Sequence, residues 1–209
     1  MWKIKMWTKQ YLISVAFVTI IAVITGYFLW NNAGERKIEP GNGNCSGYCL
    51  GPEDAPVTID AYVDFTCHIC VEKGLLIAQA LEMYPERLRF IYHHYPESDF
   101  SNEVAQALEY AGSQGMFWDL YEEFIANPPT SIGEIVAIST AVGLSSNEVS
   151  DALESNEFLH SVEAARQEAV AQGVYFVGVF INGKEYEKYP GTLEDLVQAI
   201  ELELKKTGG

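Results

Sequence analysis

The chain has 209 residues, 48% of them hydrophobic and 20% charged, which leaves room for one ordinary domain plus extras and excludes a fully disordered chain. Thirteen Lys and Arg against 29 Asp and Glu give a net charge of −16, a balance that argues against phosphate-backbone binding, so no nucleic-acid partner is expected. Four cysteines are too few for a disulfide-stapled miniprotein, and their spacing carries the information instead.

Residues Tyr11 to Trp30, YLISVAFVTIIAVITGYFLW, carry no charge. Twenty helical residues at about 1.5 Å each cover about 30 Å, the thickness of a bilayer's hydrocarbon core. Trp7 and Tyr11 stand near one end and Tyr27 and Trp30 near the other, where interfacial aromatics belong. Lys3, Lys5 and Lys9 precede the span, so residues 1–10 are expected in the cytoplasm, 11–30 as a single-pass anchor in the cell membrane, and the rest outside. A cleaved signal peptide is the rival, although Asn31-Asn32-Ala33 matches an A-x-A site poorly. Both readings export the chain to a compartment where disulfides persist.

Residues 31–50, polar and rich in Gly and Asn, read as a flexible tether that holds Cys45 and Cys49, and residues 51–209 as the exported domain. Val57, Ile59, Ala61, Val63 and Phe65 alternate with polar residues and predict a strand. Thr66 is placed to cap a helix from Cys67 to about Met83, with Leu75, Leu76, Ala80 and Met83 on its apolar face. Leu88 to Tyr95 predicts a second strand, so a parallel βαβ unit is the default.

A helical insertion is expected over about 98–173. Its apolar stripes are Phe117-Leu120-Tyr121-Phe124, Ile132-Ile135-Val136-Ser139 and Leu159-Val162-Ala165-Ala169, and Ser131-x-x-Glu134 and Ser145-x-x-Glu148 predict capping boxes. Strand character returns at Phe176–Ile181, Asn182-Gly183 predicts a type I′ turn, and Glu185–Lys188 pairs back. After a turn at Tyr189-Pro190-Gly191, Thr192 caps a last helix from Leu193 to about Leu204.

Cys67-His68-Ile69-Cys70 falls between a strand end and a helix start. Residues i and i+3 share a helix face, so the two sulfurs can bond. Free N–H groups and the macrodipole at the helix tip favour a thiolate on Cys67, making it the attacking sulfur, with Cys70 one turn inside as the resolving one.

The stretch GPEDAPVTIDAYVDFTCHIC, with RFIYHHYPE and VFINGK further on, resembles the DsbA-like thioredoxin-fold proteins over about residues 50–205. The resemblance implies an α/β thioredoxin fold, β-α-β then β-β-α around a helical insertion, and thiol–disulfide exchange with no cofactor and no metal. It implies cysteine-containing exported proteins as partners and a membrane quinone-linked thiol oxidase that recharges the pair. His68 and Ile69 fill the dipeptide where the family commonly has Pro after the first cysteine, and a protonated His68 would support the Cys67 thiolate; an exposed polar role is the alternative. Val177 stands where the family carries a cis-proline, and the peptide bond before it is expected to be trans, since cis would cost about 2.5–4 kcal/mol. Ala61 stands where the family often has Glu. Asp60 should face away by strand parity, and Asp64 is open between proton handling and a structural role.

Cys45 and Cys49 admit three readings: a local disulfide, a relay to the Cys67–Cys70 pair, or, with all four cysteines, a zinc site of C-x3-C-x17-C-x2-C spacing. A thioredoxin-fold binding module or holdase with poor redox activity is the rival to an enzyme. Either direction of exchange is open, with the oxidase favoured.

Overall fold

The computed structural model describes residues 45, 47–188 and 191–208. The expected anchor, the cytoplasmic N-terminus, most of the tether and the Tyr189-Pro190 turn lie outside the described residues. The first described element corrects the tether: Tyr48–Leu50 is a strand, β1, so the ordered domain begins before residue 51. It is pinned because Tyr48 and Leu50 oppose Tyr92 and Phe90 across an antiparallel ladder, where their side chains join the core.

The alternating run forms β2, Val57–Val63, with Val57, Ile59, Ala61 and Val63 all buried. It leads into α1, His68–Met83, and then β3, Leu88–His94, parallel to β2 in the register Ile59↔Phe90 and Val63↔His94. The face of α1 is rotated from the expected one. Cys70, Val71, Lys73, Gly74, Ile77, Ala80 and Leu81 are buried, whereas Leu75 and Met83 are exposed. The cause is steric: Gly74 lets α1 close on Ile125 and Tyr121, and that contact fixes the buried side. Thr66 is not the cap either, since Cys67 occupies the N-cap and Thr66 turns back to Asp64.

Five helices follow: α2 Asp99–Ser113, α3 Phe117–Ala126, α4 Ile132–Ala141, α5 Ser146–Ser155 and α6 Leu159–Ala171. Phe117, Leu120, Tyr121 and Phe124 are buried as one stripe; of the second stripe Ile135 and Ser139 are buried but Ile132 is exposed. Ser131 and Ser145 accept from the Glu134 and Glu148 N–H groups, which is half of each expected box. The reciprocal half fails because Glu134 is taken by Thr130 and Glu148 by the Tyr110 hydroxyl. Complete boxes form at Ser98/Ser101 and Thr192/Asp195.

The chain returns as β4, Gly178–Ile181, shorter than expected at Phe176, and β5, Lys184–Glu185. The turn between them has φ of 48° at Asn182 and 73° at Gly183, the left-handed pair that a type I′ turn requires. Helix α7, Leu193–Lys206, ends the fold. The sheet order is β1-β3-β2-β4-β5, with β4 antiparallel to β2. Helices α1 and α7 pack together on one face, while α6 meets β3. Tyr62, Val174 and Ala169 form a small second core there.

Candidate active site

The β2–α1 junction is built around Asp64. Its Oδ1 accepts from the Thr66 N–H at 2.7 Å and the Thr66 hydroxyl at 2.6 Å, and its Oδ2 accepts from the Glu97 N–H at 2.9 Å. A buried carboxylate with three donors is a structural acid that ties the end of β2 to the segment after β3. Phe65, edge-on to Tyr121 and Phe124, anchors the same junction in the core. Asp60 faces the other way, as strand parity requires, with its Oδ1 3.1 Å from His93 Nε2. His93 stacks on Tyr62, and only its neighbour His94 enters the main core side.

The junction delivers Cys67 to the N-cap of α1 with extended backbone, φ −86° and ψ 108°. Its carbonyl accepts from the N–H groups of Cys70 at 3.0 Å and Val71 at 3.2 Å, so the first turn closes directly beneath it. No acid occupies that turn to oppose an anion at the helix tip. Cys67 is a half-buried free thiol and Cys70 a buried one. Burial pushes the Cys70 thiol well above its ordinary value, against the pull of the Asp64 backbone N–H. The pair is therefore asymmetric: one reachable sulfur and one sheltered, protonated sulfur.

His68 is 84% exposed and its Nε2 lies 3.0 Å from Glu72 Oε1, so it forms a surface pair along the helix. That geometry favours the exposed polar role over support of the Cys67 sulfur. Ile69 is exposed beside it. Val177, just before β4, lines a small cleft of about 80 Å3 together with Cys67, Ile69, Cys70 and Lys73. Val177, the residue expected at the family's cis-proline position, thus borders the same cleft as the two cysteines.

Lys73 was missed by the sequence pattern. It is only 4% exposed, on the same face as Cys67 and Cys70, and its ammonium donates to the Tyr186 carbonyl at 3.5 Å beneath the Tyr186 ring. Burial pulls the Lys73 pKa below the ordinary value, while nearby Cys70, Glu185 and Cys67 pull it up. A signal for it exists in the sequence: positions 67, 70 and 73 follow a three-residue step that keeps one helix face.

Cys45 and Cys49 form a disulfide, with Cα atoms 6.4 Å apart. Sulfurs committed to each other are not thiolate ligands, which removes the four-cysteine zinc reading. Cys49 opposes Ile91 in the ladder, on the sheet face away from α1, so the relay reading has no short path.

A family model described as thioredoxin matches residues 44–202, more than half of the chain. The chain belongs to the thioredoxin family. Its fold is that of the DsbA-type thiol–disulfide oxidoreductases. It superposes on BdbD from Bacillus subtilis with a TM-score of 0.66 at 19% identity, covering 75% of this chain and 92% of that one. For MdbA from Corynebacterium diphtheriae, a thiol–disulfide oxidoreductase, the TM-score is 0.57 at 21% identity, covering 79% and 95%. For alpha-DsbA1 from Wolbachia pipientis it is 0.64 at 15%, covering 76% and 90%. Among curated proteins, a Na(+)/H(+) antiporter NhaA of Herminiimonas arsenicoxydans is 25% identical over 183 residues, 82% of this chain and 30% of the antiporter. The chain thus spans under a third of that relative's length. Among the described residues, no helix is long and apolar enough to cross a membrane.

Proposed function

We propose that this thioredoxin-family chain is a membrane-tethered, extracytoplasmic thiol–disulfide oxidoreductase that acts as an oxidase on exported cysteine-containing proteins. The observation that carries the reading is the asymmetric pair at the tip of α1: Cys67 reachable at the N-cap, Cys70 buried one turn below. A client thiolate attacks Cys67 Sγ of the oxidised pair, and Cys70 leaves as the thiolate, with Lys73 supplying positive charge nearby. A second client thiolate then attacks the client sulfur of the mixed disulfide, forming the client disulfide and releasing Cys67. A membrane quinone-linked thiol oxidase returns the pair to the disulfide. The exposed side chains of Ile69, Tyr175 and Phe176 offer an apolar rim against which an unfolded client can lie. The uncharged segment 11–30 supplies the tether.

Equilibrating the full chain in a glutathione series tests the direction. The expected midpoint of the Cys67–Cys70 pair lies near that of strong dithiol oxidants, about −120 mV, whereas about −270 mV would make the protein a reductant. A chain that oxidises no reduced client at any poise would instead be a binding module.

A further inference from the structure

The Cys45–Cys49 disulfide sits in a setting that a purely structural bond does not need. Cys49 is only 5% exposed, whereas Cys45 is half-exposed. The buried Arg89 guanidinium points at Cys49, with Nη2 3.7 Å from its sulfur, while Nη1 donates to the Glu53 carbonyl at 3.1 Å. Arg89 Nε is buried without a hydrogen-bond partner, and among the described residues no carboxylate pairs with the guanidinium. A buried cation without a counter-charge is costly, and a thiolate at Cys49 would supply that counter-charge. The lower the basicity of the leaving sulfur, the faster it leaves. As a staple, the bond closes a loop of only five residues.

We propose that Cys45–Cys49 is a second exchangeable redox pair, opened at Cys45 by a dithiol, with Cys49 as the leaving thiolate held by Arg89. The dithiol's first thiolate attacks Cys45 Sγ; the Cys45–Cys49 bond breaks and its electron pair goes to Cys49 Sγ. The dithiol's second thiolate attacks its own sulfur in the mixed disulfide, closing the oxidised dithiol and releasing Cys45, which takes a proton from water. Two electrons pass from the dithiol to the pair. By strand parity this centre lies on the sheet face away from Cys67 and Cys70, and it works independently of them.

The test uses the full chain with Cys67→Ser and Cys70→Ser, so that only this pair can react and the result does not depend on the proposed oxidase activity. Under dithiothreitol the pair should open while circular dichroism stays native, and Arg89→Met should slow opening about tenfold. Opening only on unfolding, or opening equally fast in a folded Arg89→Met chain, overturns the proposal. One further arm needs no change at Arg89: brief exposure to glutathione followed by mass mapping should place the adduct on Cys45. An adduct on Cys49, or equal adducts on both, overturns it.

Discussion

Cys67 and Cys70 are separated by one helical turn and by a large difference in environment, and Lys73 extends that line inward. Replacing a buried ammonium by an isosteric apolar chain removes a desolvation cost but also a charge beside the resolving sulfur. Lys73→Met is therefore expected to slow dithiol exchange about tenfold in a stopped-flow assay. Exchange as fast as in the parent chain would mean that the Lys73 charge does not act on the resolving sulfur. The cysteines were legible because CxxC at a strand–helix junction is an arrangement that thiol exchange requires and core packing does not. The burial of Lys73 was not, because a lysine in the sequence defaults to the surface. The surface pairing of His68 with Glu72 depends on a rotamer choice that sequence does not specify.

At the scale of elements, β1 is held by side chains as much as by its ladder. Tyr48 stacks on Phe117, and its hydroxyl donates to Glu109 Oε2 at 3.1 Å, while Glu109 Oε1 lies 2.9 Å from His94 Nε2. Burial pushes the Glu109 carboxyl up, but the His94 and Tyr48 contacts outweigh it and hold its pKa below the ordinary 4.5. A carboxylate whose folded pKa is depressed contributes stability above its unfolded pKa and loses it as pH falls through the folded one. Glu109→Gln should thus destabilise the chain by about 1 kcal/mol at neutral pH, and the two melting curves should converge below pH 4.5. Gly51, at φ +85°, turns the chain out of β1, where an added methyl would strike the Leu88 carbonyl. Gly51→Ala is expected to cost about 1–3 kcal/mol in chemical denaturation. Helix and strand positions were readable from period and caps. The strand at Tyr48 was not, because three residues between glycines carry no period, and only the partner β3 selects them.

For the whole molecule, the order β-α-β, helical insertion, β-β-α was readable because each element type is locally consistent and a right-handed parallel unit is the default connection. What pattern alone could not give was the rotation of α1, set by its contact with α3 through Gly74, and therefore the residues around the buried sulfur. The central claim concerns which sulfur meets the outside. The most direct measurement is to incubate full-length Cys70→Ser and Cys67→Ser chains with oxidised glutathione at neutral pH and map adducts by mass. The account predicts a persistent mixed disulfide on Cys67 in the first chain and almost none on Cys70 in the second. Equal labelling of the two chains, or an adduct confined to Cys70, would contradict it.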